Sequence, residues 1–104
     1  MIIQGTNLPL VVTFDADVSE TAALVITLWR RNGTELKRWT KNDMLITEDT
    51  VELPLTEEET AAFPEGYNTL EAKGLDEYGQ TIFWEAMPLL VEGRRDKGIS
   101  ITGG

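Results

Sequence analysis

The side chains that could do chemistry in this sequence are carboxylates. The chain holds 18 Asp plus Glu, no His, no Cys, and two serines, Ser19 and Ser100. A Ser-His-Asp or Cys-His nucleophile cannot be assembled from this set, nor a zinc site with His or Cys ligands. What remains is acid–base work by a carboxylate pair, which needs two carboxyl groups held at a fixed separation in a cleft. Here the acids gather instead in turns and at a helix start, as in DADVSE at 15–20 and TEEE at 56–59. The loops between apolar runs are also short, whereas small β-sandwiches build their sites mostly on long ones. The expectation is a protein that is not an enzyme.

Metal and cofactor chemistry can be read in the same way. Asp15, Asp17 and Ser19 alternate as the first ligands of an EF-hand loop do, but that loop needs Gly where Glu20 stands and Glu where Ile26 stands. DADVSE therefore reads as a solvated loop, with a calcium site of another type at a sandwich edge left open. No glycine-rich phosphate-binding pattern occurs, so no cofactor and no metal are expected. Asn32-Gly33-Thr34 matches a glycosylation acceptor, although a hairpin turn explains the same residues.

Recognition chemistry is left, and here the aromatic residues matter. Trp29 with Val25 and Leu36 would form an apolar patch on the outer face of a first hairpin, and Tyr78 stands at the tip of a second. Exposed tryptophan of this kind marks contacts with a partner or ligand. The alternative is that another strand or loop covers the patch, or that the two faces are reversed. These four residues, Val25, Trp29, Leu36 and Tyr78, are the candidate interface. The formal net charge of −9 and a pI near 4.3 repel phosphate backbones and argue against nucleic acid as the partner. No apolar run approaches the roughly 20 residues of a spanning helix, and the first residues lack a basic leader, so neither membrane insertion nor ordinary secretion is expected.

The elements that must position these residues are strands. A chain of 104 residues makes one domain. LPLVVTF at 8–14 and AALVITLW at 22–29 are short, β-branched runs with the acidic loop between them. Asn32-Gly33 fits a two-residue type I′ turn. That turn sets Trp29 opposite Leu36, Leu28 opposite Lys37, Ile26 opposite Trp39 and Arg30 opposite Glu35. Leu24, Ile26, Leu28 and Trp39 then share the core face. MLIT at 44–47 and TVELPL at 50–55 follow, and Pro54 places the second at an edge or stops it.

Thr56 with Glu59 forms a capping box for a short helical turn near 57–63, which Pro64 and Gly66 end. YNTLEAKGLD at 67–76 and TIFWEAMPLLV at 81–91 flank a three-residue loop, Glu77-Tyr78-Gly79, with Gly79 left-handed. Its register puts Leu70, Ala72, Gly74, Ile82, Trp84 and Ala86 on one face, the small residues making room for the Trp84 indole. The same register sets Glu71 against Glu85, an unfavourable pair. The whole predicts an all-β, immunoglobulin-like antiparallel β-sandwich of about seven strands over residues 1–92. Residues 93–104 form a tail, read as either a short edge strand or a linker.

The order of these signals resembles the small immunoglobulin-like domains found among the tail and baseplate proteins of phages and prophages of Gram-positive bacteria, such as the N-terminal domain of baseplate upper proteins. The carriers are QGTNLPLVVTFDADVS at 4–19, LTEEETAAFPEGYNTLEAK at 55–73 and DEYGQT at 76–81. The resemblance spans most of residues 2–92 and lies in spacing and turn chemistry, with no catalytic signature. It implies a structural part of a virion, made in the bacterial cytoplasm and often working in rings or trimers. Its partners would be other phage structural proteins or further copies of itself. The chain departs from a full baseplate protein in carrying no coiled-coil or receptor-binding part. A carbohydrate-binding module that uses Trp29 or Tyr78 as a stacking platform is the second expectation.

Overall fold

The computed structural model describes residues 1–93. Among the described residues eight strands build two sheets, with strands β1 (Ile2–Ile3), β2 (Leu10–Thr13), β3 (Ala23–Trp29), β4 (Glu35–Thr40), β5 (Leu45–Thr47), β6 (Thr50–Leu53), β7 (Gly66–Leu75) and β8 (Thr81–Glu92). A single 3-10 turn, Lys41–Asp43, links β4 to β5, and helix α1 (Glu57–Ala62) links β6 to β7. The larger sheet runs β1-β8-β7-β3-β4 and the smaller β2-β6-β5. The all-β sandwich expected from the sequence is the fold. One pairing departs from a fully antiparallel arrangement, because β1 runs parallel to β8 through Ile2 with Val91 and Ile3 with Glu92. This two-residue strand is the eighth, and it is too short to carry a sequence signal of its own. The tail beyond Gly93 lies outside the described residues.

The core lies between the sheets and follows from alternation along the strands. Leu24, Ile26 and Leu28 of β3 point inward and are fully buried, and Trp39 of β4 joins them. Val51 and Leu53 of β6 meet them from the smaller sheet, with Leu70 and Val91 completing the layer. The Trp39 indole keeps its polar end satisfied by donating to the Pro54 carbonyl oxygen at 3.0 Å, as a buried indole must. β6 is the central strand of its sheet and ends at Leu53, so Pro54 terminates pairing where it would otherwise remove a ladder bond.

Helix α1 begins as the capping box predicts. Glu59 N–H donates to Thr56 Oγ1 at 3.1 Å and Thr56 N–H donates back to Glu59 Oε1 at 3.0 Å. The helix does more than turn the chain between sheets. Buried Thr60 donates through its hydroxyl to the Thr6 carbonyl at 2.7 Å and accepts from Thr6 N–H at 3.1 Å. Gln4 donates to the Phe63 carbonyl at 2.7 Å. These bonds fasten the segment after β1 to the helix. On the other side Lys37 of β4 bonds Glu59 while its ammonium lies 5.9 Å from the Trp39 ring. The Lys37 hydrogen bond, aided by that of Thr56, holds the Glu59 carboxyl below its ordinary value.

Both hairpins close through three-residue loops. In the β3–β4 hairpin Gly33 N–H donates to the Arg30 carbonyl at 2.8 Å and Arg30 N–H to the Thr34 carbonyl at 2.7 Å. Only Gly33, at φ 91°, is left-handed there, so the expected two-residue type I′ turn, with Asn32 also at positive φ, does not form. The Asn32 side chain accepts from Thr34 N–H at 3.0 Å instead, a local bond that holds the tip in the other turn type. A bulge then follows between Leu28 and Trp29, pairing Trp29 with Glu35 while Leu28 still faces Lys37 and Ile26 still faces Trp39. The expected Trp29–Leu36 and Arg30–Glu35 pairs are therefore absent. Leu36 packs against the core cluster, and Glu35 bonds Arg38 at 2.7 Å.

In the β7–β8 hairpin the loop is the one the sequence predicts, with Gly79 at φ 79° and Gly79 N–H donating to the Asp76 carbonyl at 3.0 Å. The strand register beyond it is not. Leu75 faces Thr81, but Gly74 faces Phe83 across a bulge. One extra residue on β8 shifts everything after it, so that Glu71 faces Ala86 and Ala72 faces Glu85. The Glu71–Glu85 clash disappears. Phe83 now turns inward, packs on the core cluster and meets Phe14 edge-on at 5.8 Å. Gly74 makes its room, because a Cβ built there would sit 2.2 Å from the Phe83 ring. Trp84 and Ala86 move to the opposite, outward face.

Candidate functional site

Alternation along β7 sends Leu70, Ala72 and Gly74 to the core and Tyr67, Thr69, Glu71 and Lys73 outward. The flanking strands align with them row by row. Val25, Lys73 and Trp84 form one row, Thr27, Glu71 and Ala86 the next, and Trp29, Thr69 and Pro88 the third. Trp29 and Trp84 thus stand diagonally across β7, on strands either side of it. Strand spacing and rise place their Cα atoms about 16 Å apart with Glu71 midway.

The Glu71 carboxylate joins the two indoles. Trp84 Nε1–H donates to Glu71 Oε2 at 2.9 Å, and Trp29 Nε1–H donates to Glu71 Oε1 at 3.4 Å. Each oxygen takes one indole, so both rings are drawn toward the centre of the sheet face. Thr27, directly beside Glu71 in the register, is only 3% exposed, so the converging side chains close over the middle of the face. Around this centre the surface stays open. Trp84 is 57% exposed and Tyr67 59%. Val25, Ala86 and Pro88 supply apolar surface between the aromatic groups. Among the described residues Trp84 is left more than half exposed, and exposed aromatic surface is what a contact site requires.

The carboxylate is a clamp rather than a receptor for a cation. Both of its oxygens already accept an indole N–H. Lys73 lies two residues away on the same face, yet the ion pairs formed among the described residues are Lys37–Glu59 and Arg38–Glu35. The arrangement is suited to holding two flat apolar rings in place, which lowers the ordering cost of any contact they make.

Of the four sequence-predicted interface residues, Val25 and Trp29 lie on this face, both half-buried. Leu36 does not join them, because the bulge carries it against the core. Tyr78 is 81% exposed at the tip of the β7–β8 loop, beyond the end of β7 remote from Trp29 and Thr69. The residues that sequence reasoning missed are Glu71, Trp84 and Tyr67. One signal could have found them: the like-charge pair Glu71–Glu85 disfavoured the simple register, and a one-residue bulge both removes it and sends Trp84 outward.

The acidic loop after β2 is occupied with its own backbone. Ser19 donates to Asp17 Oδ1 through its hydroxyl at 2.5 Å and its N–H at 2.8 Å, and these bonds hold the Asp17 carboxyl below its ordinary value. Among the described residues no three His, Cys, Asp or Glu side chains are grouped as a metal ion would need. No helix among them is long and apolar enough to cross a membrane. Compared with protein-family models, with curated proteins and with solved structures, the chain matches none of them.

Proposed function

We propose that this chain is a non-enzymatic assembly domain that docks onto other structural subunits through the outer face of its larger sheet. Its setting is a phage or prophage tail or baseplate, so that it is a component of the virion. The observation that carries the docking reading is the Glu71 clamp, which joins Trp29 and Trp84 on one sheet face where Trp84 is more than half exposed. Such rigid aromatic anchors dominate protein contacts, because a large area is buried at little cost in side-chain freedom. The setting rests on the order of turn signals described above, which resembles tail and baseplate domains. Sedimentation over a wide concentration range tests the reading. A discrete oligomer that Trp84→Ala dissociates, with its fold retained by circular dichroism, is the expected result. A strict monomer that also fails to bind purified tail subunits would overturn it.

The same geometry favours a second reading. Two indoles held on a flat face, with a carboxylate between them, form a stacking platform of the kind carbohydrate-binding modules use for successive sugar rings. Trp84→Ala separates the readings. Loss of glycan binding with unchanged assembly supports the second, and loss of assembly without glycan binding supports the first.

A further inference from the structure

A second feature lies at the end of the larger sheet, where the β3–β4 turn approaches the start of β7. Arg30 and Arg31 of the turn, with Pro64, Glu65, Tyr67 and Asn68, line a cavity of about 320 Å³. The other cations among the described residues are mostly engaged. Lys37 bonds Glu59, Arg38 bonds Glu35, and Lys41 donates to the carbonyls of Ser19 and Thr21. The guanidiniums of Arg30 and Arg31 have neither an ion pair nor a hydrogen bond among the described residues. Two arginines adjacent in sequence, lining one cavity and unpaired among the described residues, are unexpected on a chain of net charge −9.

The cavity lining includes one carboxylate, that of Glu65, and it forms no ion pair with either arginine. Glu65 Oε1 lies against Gly93, only 1.8 Å from where a Cβ of that residue would stand, with the Gln4 side chain also near that point. Buried Asn68 anchors the wall by donating to the Pro64 carbonyl at 3.2 Å. Exposed Tyr67 lines the cavity with the two arginines. We propose that this cavity binds an anionic group, the phosphate or carboxylate of a small ligand, through the Arg30 and Arg31 guanidiniums. The planar fork of arginine matches the oxygens of both groups. Screening over roughly 8 Å at physiological salt confines the repulsion from distant carboxylates, so the two local cations set the potential inside the cavity.

Tyr67 borders both this cavity and the docking face, but neither Trp29 nor Trp84 lines the cavity, and Trp84→Ala leaves it intact. The test is a titration of the full chain with inorganic phosphate and, separately, with acetate, followed by backbone amide shifts. Saturable shifts at Arg31, Asn32, Tyr67 and Asn68 with a Kd of about 1 mM are expected. Tighter binding of phosphate assigns a phosphate ester as the natural group, and equal or tighter binding of acetate assigns a carboxylate. The double variant Arg30→Gln, Arg31→Gln weakens binding at least about tenfold, while Lys73→Gln, which removes the same kind of charge from another part of the sheet, leaves it unchanged. No saturable shift with either anion overturns the proposal. So does retained binding in the double variant, or an equal loss in Lys73→Gln.

Discussion

The two hairpins of the larger sheet use the same devices and end with opposite consequences. Each closes on a three-residue loop with a left-handed glycine, Gly33 or Gly79, and each carries a bulge within a residue or two of the loop. In β3–β4 the bulge restores the pairing that a two-residue turn would have set, so Leu28 with Lys37 and Ile26 with Trp39 survive a wrong turn type. In β7–β8 the turn is as expected, and the bulge displaces every pair beyond it. Loop residues alone therefore do not determine which face a strand shows. Turn length and bulge act together, and because side chains alternate with a period of two, a single residue reverses the outcome.

Gly74→Ala should break the second hairpin most severely. The new methyl would lie inside contact distance of the Phe83 ring, and relieving it requires Phe83 or β8 to move, at a cost of about 2 kcal/mol. Urea denaturation checks this, and a stability unchanged from wild type would mean that Phe83 does not occupy the groove over Gly74. Gly33→Ala and Gly79→Ala form a matched pair next in size. Both sites lie at positive φ with open space around the Cβ position, so each should lose about 1 kcal/mol from backbone strain alone. A marked inequality between them would show that the two loops are not equivalent.

Glu71→Gln sharpens the comparison at the face that the second bulge creates. The carboxamide keeps one acceptor oxygen where the carboxylate offers two, so one indole loses its partner. A stability loss of about 0.5–1 kcal/mol is expected, with a change in tryptophan emission that Glu85→Gln does not produce. Identical spectra for the two variants would remove the clamp from the argument. The smallest effect concerns Lys37–Glu59. The folded-state pKa of Glu59 lies below its ordinary value of 4.5, so its contribution is present above that pH and is lost as pH falls through the lowered folded value. The pair is partly exposed, and Glu59→Gln should cost no more than about 1 kcal/mol at neutral pH. Its stability difference from wild type should shrink in acid, and a difference that grows there would contradict the ion pair.

How far the sequence could be read depends on how local each signal is. The inward face of β3 follows from simple alternation in Leu24, Ile26 and Leu28, and the helix start follows from Thr56 and Glu59, which lie three residues apart and cap each other reciprocally. The Gly79 loop follows because Tyr78 resists positive φ and Gly79 does not. The outward position of Trp84 was not legible in this way, since it turns on whether Phe83 or Trp84 fills the space above Gly74. The candidate site was read in part: Val25 and Trp29 were placed on it, while Glu71 and Trp84 were not.

Strand content, the exclusion of His- and Cys-based chemistry, the capped helix and the core face of β3 were determined by the sequence alone, because each depends on residue type or on neighbours a few positions apart. The tertiary structure decided the parallel pairing of β1 with β8, the fastening of Thr6 to Thr60, the inward turn of Phe83 and the joining of Trp29 to Trp84 through Glu71. Each of these brings together residues tens of positions apart, or selects between two registers of nearly equal local quality. The selection is made by shape, since a phenyl ring packs over Gly74 against Phe14 and leaves the indole to the outer face.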